Sequence, residues 1–447
     1  MKKWITIAFV FILGVINAQT NPAITSWMQN TTIKARHYVA GNSTPINDSS
    51  PVNCQAVQYN TTDVYVTTTG LPSYVTGPFL DGNPSIATNQ NAIFRIPLNP
   101  VPNTGTPVNT TGGNIGIFIN GVALFDYRDG VAWNNTTQSL CGGPGNSPCP
   151  GGMGATQNWN RDAIPAEKKG FDCSKAHPAM GNYHHHQNPS AFNLDLVVIS
   201  TICNLYNADG LYAIDSTVHS PLIGYAYDGF PIYGAYGYQN ADGSGPIVRI
   251  KSSYSLNSGN TRTLGPDVSN TYPLGYFRED YHYTATSAGT PDYLDEHNGR
   301  FCVTPEYPSG IYCYFATVDA NWNSTYPYVV GPTFYGTRNA AKVTSVPSGT
   351  TTYSSTASND KINLQATQVK VFPSPTNDLI IIQLIDINKE NLKVELFDMT
   401  GRLVETTSLL QGSTIAYFDV QTLYSGQYLV KISNKNSVII QKIVVTK

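Results

Sequence analysis

Two patterns of apolar and polar positions divide the chain. Near the C-terminus, short aliphatic runs alternate with Lys, Glu and Asp at 379–384, 393–398, 414–420, 427–433 and 437–446. Alternation with a period of two is typical of strands with one buried face, and turn residues such as Thr400-Gly401-Arg402 separate the runs. The pattern predicts a small β-sandwich in this part of the chain.

The upstream part carries aromatic apolar runs that turn residues interrupt. In the run from Ile223 to Gly234, an apolar strand is broken by Asp228-Gly229 and Phe230-Pro231. Gly, Pro, Asn, Ser, Thr and Tyr are plentiful, and they are the residues of turns and strands. The expected fold class is therefore mostly β: a large, irregular β-rich domain followed by the small C-terminal β-sandwich.

A Ser- and Thr-rich stretch between the two patterns, 345–361, predicts a linker. We expect the polar linker over 341–363 and the C-terminal domain over 364–447. An N-terminal β-rich region over 19–110 is expected to belong to the main domain, which continues over 111–340. Every His and Cys lies upstream of the linker, so we expect the chemistry there.

The N-terminus has the features of a secretory signal peptide over residues 1–18. Met1-Lys2-Lys3 is basic, residues 4–15 are apolar, and Ile16-Asn17-Ala18 provides small residues before a cleavage point. The apolar run is shorter than the roughly 20 residues that a spanning helix needs, and no later stretch approaches that length. We expect an exported protein with no transmembrane segment.

Charge and cysteine content refine this expectation. Only 12% of residues are charged, and the formal net charge of −3 provides no basic surface for nucleic acid. Export favours disulfides, but seven cysteines leave at least one without an intramolecular partner. Cys141 with Cys149, and Cys302 with Cys313, bracket short loops, so each pair could close a local ring.

The strongest chemical signal is the run Tyr183-His184-His185-His186, with His177 shortly before it. In a strand, residues i and i+2 share a face, so His184 and His186 can converge on one ion while His185 points away. A hairpin-like return after His177-Pro178 would bring His177 beside them as a third ligand. The pattern predicts a transition-metal site, with copper or zinc as the expected ion. The alternative is that these are hydrogen-bonded core imidazoles.

Other polar residues are candidates for supporting roles. His219, which precedes the aromatic run, is the candidate fourth imidazole ligand. Asp228 either caps its turn as an Asx motif or supports the metal ligands. Residues 295–299 either form a solvated acidic loop with a tight turn or provide ligands. The supporting candidates are Asp172, Tyr183, Asp228, Asp295, Glu296 and Asn298.

The C-terminal part resembles the type A sorting domain of the type IX secretion system. The matching motifs are Val371-Phe-Pro-Ser-Pro375, Val394-Glu-Leu-Phe-Asp398 with Gly401-Arg402, Leu423-Tyr-Ser-Gly-Gln-Tyr-Leu-Val430, and the Lys442 to Lys447 end. The resemblance implies that the type IX secretion machinery is a partner. It also implies export through the periplasm and across an outer membrane, followed by release or attachment to the cell surface.

The main domain resembles the YHYH family, whose motif Tyr183 to His186 matches with His185 in place of the second Tyr. Further matching segments are Asn120-Gly-Val122, Trp159-Asn-Arg-Asp162, Glu167 with Phe171-Asp-Cys173, His177-Pro178, residues 219–234, and Leu294-Asp-Glu296 with Asn298-Gly-Arg300. The resemblance implies a shared fold and names no reaction. At 310–315, where some members have a second such run, Cys313 and Phe315 exclude a second His pair.

We therefore expect an exported β-rich protein that binds a transition metal at a His-rich site. The sequence leaves open whether it also catalyses metal-assisted oxidative or hydrolytic chemistry on an extracellular substrate. No nucleophile elbow, phosphate loop, H-E-x-x-H helix or dinucleotide fingerprint occurs in the sequence. The alternative is a surface protein without catalytic activity, structural or binding a ligand such as carbohydrate, in which the Tyr-His strand belongs to the core.

Overall fold

The computed structural model describes residues 21–30, 32–79, 86–143, 145–151, 157–189, 216–286, 290–338, 341–354, 369–385, 391–410, 413–434 and 438–447. The predicted signal peptide at 1–18 and Cys203 lie outside the described residues. Among the helices of the described segments, none has both the length and the apolar character needed to cross a membrane.

The described residues upstream of 355 form mostly short strands. In chain order these are β1 (Lys34–Val39), β2 (Asn42–Pro51), β3 (Cys54–Tyr59), β4 (Asp63–Thr68), β5 (Ala92–Pro97), β6 (Val108–Asn109), β7 (Asn114–Phe118), β8 (Ala123–Phe125), β9 (Arg128–Asn134), β10 (Ser139–Cys141), β11 (Asn160–Asp162), β12 (Ala176–Ala179), β13 (Asn182–His185), β14 (Leu222–Ala226), β15 (Pro231–Tyr233), β16 (Tyr236–Tyr238), β17 (Ile247–Arg249), β18 (Tyr254–Leu256), β19 (Tyr281–Tyr283), β20 (Gly299–Cys302), β21 (Ile311–Phe315), β22 (Thr333–Phe334), β23 (Ala341–Val343) and β24 (Thr351–Tyr353).

Helices are few and short in the described residues. They are α1 (Pro22–Thr25), α2 (Ala163–Glu167) and one 3-10 turn (Arg278–Asp280). The C-terminal strands are β25 (Val369–Phe372), β26 (Leu379–Leu384), β27 (Leu392–Asp398), β28 (Leu403–Leu409), β29 (Ile415–Asp419), β30 (Gly426–Ser433) and β31 (Val438–Val445). The predicted mostly β fold class is confirmed.

An eight-stranded sheet forms the centre of the main domain. Its strand order is β12-β13-β8-β7-β14-β15-β21-β20, with two parallel contacts, β13 with β8 and β15 with β21. Apolar residues of this sheet, including Ile117, Tyr225 and Ile232, belong to one buried cluster together with Val66 and Phe94 of the N-terminal strands. The N-terminal region and the sheet that carries the histidines therefore share one core.

A five-stranded sheet in the order β23-β5-β4-β3-β24 differs from the sequence expectation. Residues 341–353, which fall in the predicted linker, instead form both of its edge strands: Lys342 pairs with Phe94, and Thr352 pairs with Gln58. Their polar composition suits edge strands, which expose one side and one row of backbone groups to water. Composition alone does not distinguish such strands from a linker.

The C-terminal strands form two sheets, in the orders β25-β26-β29 and β28-β27-β30-β31. Alternating residues, such as Ile380 and Ile382 on one sheet and Val430 and Ile432 on the other, bury their side chains in a separate apolar cluster. This arrangement is the two-sheet packing that the period-two pattern predicts. Two edge strands, β25 and β28, were not predicted as strands; in β28 only Leu409 is fully buried.

The cysteines fall into bonded and free groups. Cys141 and Cys149 form a disulfide with an S–S distance of 2.10 Å, and Cys173 is also disulfide-bonded. Cys302 and Cys313 were expected to close a local ring but are free and buried. In the β20–β21 register, Cys302 lies opposite Ile311 and Cys313 lies opposite Arg300, so the two cysteines are offset diagonally by two residues.

Candidate metal centre

A tight hairpin brings three histidines together. The β12 and β13 strands pair so that His177 lies directly opposite His184, and His186 follows two residues later on the same face. The turn residues Met180 and Gly181 have positive φ values of 49° and 81°, and a Cβ at position 181 would lie 2.2 Å from Thr88 Oγ1. Glycine at the second turn position therefore permits the close return that places His177 beside the pair.

Backbone carbonyls fix the tautomers of two of these rings. His184 Nδ1 donates to Asn182 O at 2.8 Å, and His186 Nδ1 donates to Asp126 O at 2.5 Å. Since a carbonyl oxygen only accepts hydrogen bonds, the hydrogen of each neutral ring lies on Nδ1 and its Nε2 presents a lone pair. The two Nε2 atoms lie 3.0 Å apart. Two acceptors at this distance repel each other unless a proton or a cation lies between them.

Glu167 contributes a fourth donor atom that was not among the predicted site residues. Its Oε2 lies 3.2 Å from His177 Nε2 and 3.2 Å from His186 Nε2. Burial raises the pKa of Glu167, but the adjacent His177 and His186 rings outweigh this effect and hold the pKa below its usual range. No metal-ligand spacing in the sequence links Glu167 to the histidines. Only its place in the YHYH resemblance pointed to it.

The cluster is buried among aromatic rings. Phe125 stacks on His184 with ring centroids 3.8 Å apart, and Phe171 packs edge-on against His177 at 4.9 Å. The His177 and His186 side chains are 8% and 3% exposed, whereas Glu167 is 23% exposed, so solvent reaches the cluster from the Glu167 side. Burial, followed by the neighbouring His186 and His177, lowers the pKa of His184 well below its usual value.

The opposite face of the hairpin is fully hydrogen-bonded. His185 points away from the cluster, where its Nε2 contacts Tyr74 Oη at 3.1 Å and its Nδ1 contacts Lys175 O at 3.2 Å. Burial lowers the pKa of His185 to about 3, so this ring is neutral near neutral pH. Tyr183 donates to Asp172 Oδ2 at 2.8 Å, and this carboxylate also accepts from the backbone of the loop before β12. Asp172 and Tyr183 therefore hold the hairpin in place.

His219 does not join the other three histidines. The group of His, Cys, Asp and Glu side chains that could hold an ion, among the described residues, is His177, His184 and His186. His219 instead packs against Tyr233 and Tyr238, with ring centroids 5.2 and 5.0 Å away. The structure therefore does not bring His219 together with the other three predicted ligands, and its position in the sequence does not indicate which part of the sheet it contacts.

The acidic candidates have structural contacts of their own. Asp228 accepts from Phe230 N at 3.3 Å, as the Asx interpretation requires, and from Tyr314 Oη at 2.5 Å. Asp295 accepts from Tyr312 Oη at 2.8 Å and from the backbone of its own turn. Asn298 donates to two backbone carbonyls, and Glu296 is half exposed, with its Oε1 3.8 Å from His297 Nε2. None of these four belongs to the His cluster.

The donor set suits a transition metal ion. Two donors that are each about 2.05 Å from a tetrahedral zinc ion lie about 3.3 Å apart. Three of the distances between the histidine and Glu167 donor atoms, 3.0, 3.2 and 3.2 Å, are close to this value, and the donor atoms of the three histidines all lie within 4.8 Å of one another. The outward nitrogens of His184 and His186 donate to backbone carbonyls, which is the usual support for metal-ligating imidazoles.

Comparisons with known proteins agree with both resemblances. A family model described as YHYH protein matches residues 93–327, which is more than half of the chain. A second, described as a secretion system C-terminal sorting domain, matches residues 370–446. No curated protein matches the chain significantly.

Proposed function

The chain belongs to the YHYH protein family and ends in a type IX sorting domain, and from this premise we propose that it binds a transition metal ion outside the cell. The sorting domain directs the protein to secretion or to the cell surface and implies interaction with the type IX secretion machinery. In this proposal, the exported β-rich domain binds the ion.

One observation carries the proposal: two Nε2 lone pairs face each other at 3.0 Å in a buried site. Burying polar atoms without a favourable partner costs about 1–3 kcal/mol per group. A single cation bound by His177, His184 and His186 would replace this repulsion with three attractive contacts. Imidazole donors without a thiolate or thioether suit zinc or copper(II).

The bound ion would supply one of two chemistries. Zinc would act as a Lewis acid in hydrolysis, and copper would add one-electron oxidative chemistry. The protein would orient the imidazoles through Asn182 O and Asp126 O, and Phe125 and Phe171, which pack against His184 and His177, would exclude water from those rings. An extracellular substrate would approach past Glu167, the most exposed side chain with a donor atom.

Metal content and affinity test the proposal. We expect the full-length exported protein, purified without a tag, to contain about one equivalent of zinc or copper by elemental analysis. In calorimetric titrations, His184→Ala and His186→Ala should each bind at least 10-fold more weakly, which corresponds to about 1.4 kcal/mol.

His219→Ala is the matched control, since it removes an imidazole that lies outside the cluster. Circular dichroism establishes that each variant is folded. Equal affinity in the parent, His184→Ala and His186→Ala would contradict metal binding at this site. It would favour the alternative in which the Tyr-His strand is core and the protein is not catalytic.

A further inference from the structure

The Glu167 carboxylate lies beside two of the three clustered histidines. Its Oε2 is equidistant from two imidazoles, and no hydrogen bond reaches this buried oxygen from the described residues apart from those ring contacts. We infer that Glu167 is a fourth protein ligand, so that the centre is a closed tetrahedral site with three nitrogens and one oxygen, suited to zinc. This inference rests on the proposed function.

The backbone around Glu167 holds the carboxylate in place. The Asp162 side chain caps helix α2 by accepting from Ile164 N at 2.8 Å, and Ala163 N donates to Tyr127 O at 2.7 Å. At the other end of the helix, Gly170 N donates to Glu167 O at 2.7 Å. The start of this short helix is therefore attached to the buried Tyr127 backbone and a turn closes its end, so the Glu167 side chain reaches the cluster from a fixed base.

An ion pair without a metal accounts for the geometry less well. A proton on His186 would satisfy Glu167, but His184 Nε2 would then share that single hydrogen with the carboxylate. On this side of the site, one hydrogen would therefore serve two acceptors, His184 Nε2 and the Glu167 carboxylate. A divalent cation at the centre would interact favourably with all four donor atoms at once, and neutral imidazoles with one carboxylate are a usual zinc donor set.

A fourth protein ligand would limit the chemistry of the site. A zinc ion with four protein ligands has no open position for a substrate, as in structural zinc sites. The ion would then stabilise the hairpin and the α2 helix, and a reaction would require displacement of the Glu167 carboxylate.

Cobalt(II) is the probe that tests the coordination number. It replaces zinc in such sites, and tetrahedral cobalt absorbs visible light much more strongly than five- or six-coordinate cobalt. We expect the full-length parent protein to form a strongly absorbing cobalt complex that azide does not change. Glu167→Ala should bind cobalt at least 10-fold more weakly, and its visible spectrum should change when azide is added, because water and then azide occupy the vacated position.

Glu306→Gln is the matched control, since it removes another largely buried carboxylate, one that accepts from Tyr233 Oη at 2.8 Å. Its cobalt spectrum should equal that of the parent. A Glu167→Ala spectrum identical to the parent, with no azide response, would overturn the role of Glu167 and leave the three-histidine site intact. Failure of the parent to bind cobalt or zinc would overturn the proposed function itself.

Discussion

Two of the buried polar clusters in the described part of the main domain differ in whether hydrogen-bond donors reach their acceptor atoms. Asp228, between β14 and β15, accepts hydrogen bonds from Tyr314 Oη, Gly336 N and Phe230 N. At the β12–β13 edge, the Nε2 atoms of His184 and His186 face each other as acceptors. Burial alone therefore does not identify a functional site. The informative difference is whether protein donors satisfy the buried acceptors.

Asp228 is one of several buried carboxylates paired with tyrosine. The pairs, with their Oη to carboxylate distances, are Asp172 with Tyr183 (2.8 Å), Asp162 with Tyr328 (2.7 Å), Asp228 with Tyr314 (2.5 Å) and Asp295 with Tyr312 (2.8 Å). This recurring pair explains part of the high tyrosine content in structural terms. We therefore predict that metal binds the His cluster and does not bind these tyrosine–carboxylate pairs.

The largest expected effect is stabilisation by metal. A ligand that binds only the folded state adds about 2.7 kcal/mol to the free energy of unfolding at 100 times its Kd. When zinc is restored to the chelator-treated protein at about 100 times its Kd, we expect the free energy of unfolding in urea to rise by this amount. His184→Ala should lose the shift. If saturating zinc left the unfolding midpoint unchanged, the His cluster would not differ from the Asp228 cluster in binding metal.

The next effect concerns the satisfied cluster. Tyr314→Phe removes a donor to Asp228 and the acceptor of Tyr335 N, which lies 2.7 Å from Tyr314 Oη. We expect a loss of about 1–3 kcal/mol in the free energy of unfolding, with metal affinity unchanged. Tyr424→Phe, at an 89% exposed position, is the control and should change stability by less than about 0.5 kcal/mol. A fall in metal affinity with Tyr314→Phe would show that the clusters are coupled.

A smaller effect should appear in the pH dependence of stability. Burial raises the pKa of Asp228 to about 6, from 3.8, despite its three donors. The folded state therefore binds this proton more tightly than the unfolded state, and the resulting stability is present below pH 4 and lost as the pH rises through 6. As the pH rises from 4 to 6, the free energy of unfolding of the parent should fall relative to that of Asp228→Asn by at most about 1.4 kcal/mol per pH unit.

Urea unfolding of the parent and of Asp228→Asn at four pH values between 4 and 7 measures this difference. A difference in the free energy of unfolding that does not change with pH would mean that Asp228 keeps its ordinary pKa in the fold.

The smallest expected effect is that of His219→Ala on metal binding. Burial lowers the pKa of His219 to about 4, and its Nδ1 donates to Ser220 O at 2.7 Å, so it resembles the cluster histidines chemically. It packs against Tyr233 and Tyr238 instead of other donors. Calorimetric titration should give the same zinc affinity as the parent within a factor of two. A tenfold loss would mean that His219 reaches the ion.

Local regularities predicted much of this molecule from its sequence. The period of two placed strands at 379–384 and 427–433, and it put His184 and His186 on one face with His185 on the other. The turn signal after His177 indicated the return that pairs it with His184. These features depend on residues that are close in sequence, where backbone geometry determines the outcome.

Contacts between distant segments were not predictable in the same way. Glu167 lies ten residues before His177, on a helix whose direction depends on how Asp162 and Tyr328 pack. The position of His219 depends on Tyr233 and Tyr238, which belong to other strands. Edge strands such as β28 were missed because most of their side chains are exposed and lack an apolar pattern.

The two edge strands of the five-stranded sheet also determine when the main domain can finish folding. Gln58 on β3 donates to Thr350 Oγ1, 292 residues later, and β23 pairs with β5 across a similar separation. Such high contact order makes closure slow, and until then β3 and β5 are open edges that can pair with other chains. Residues 341–353 precede the sorting domain at 370–446. A chain in which the sorting domain has been synthesised therefore already contains the strands that close this sheet. Chains that end before residue 341 lack both the closing strands and the sorting domain.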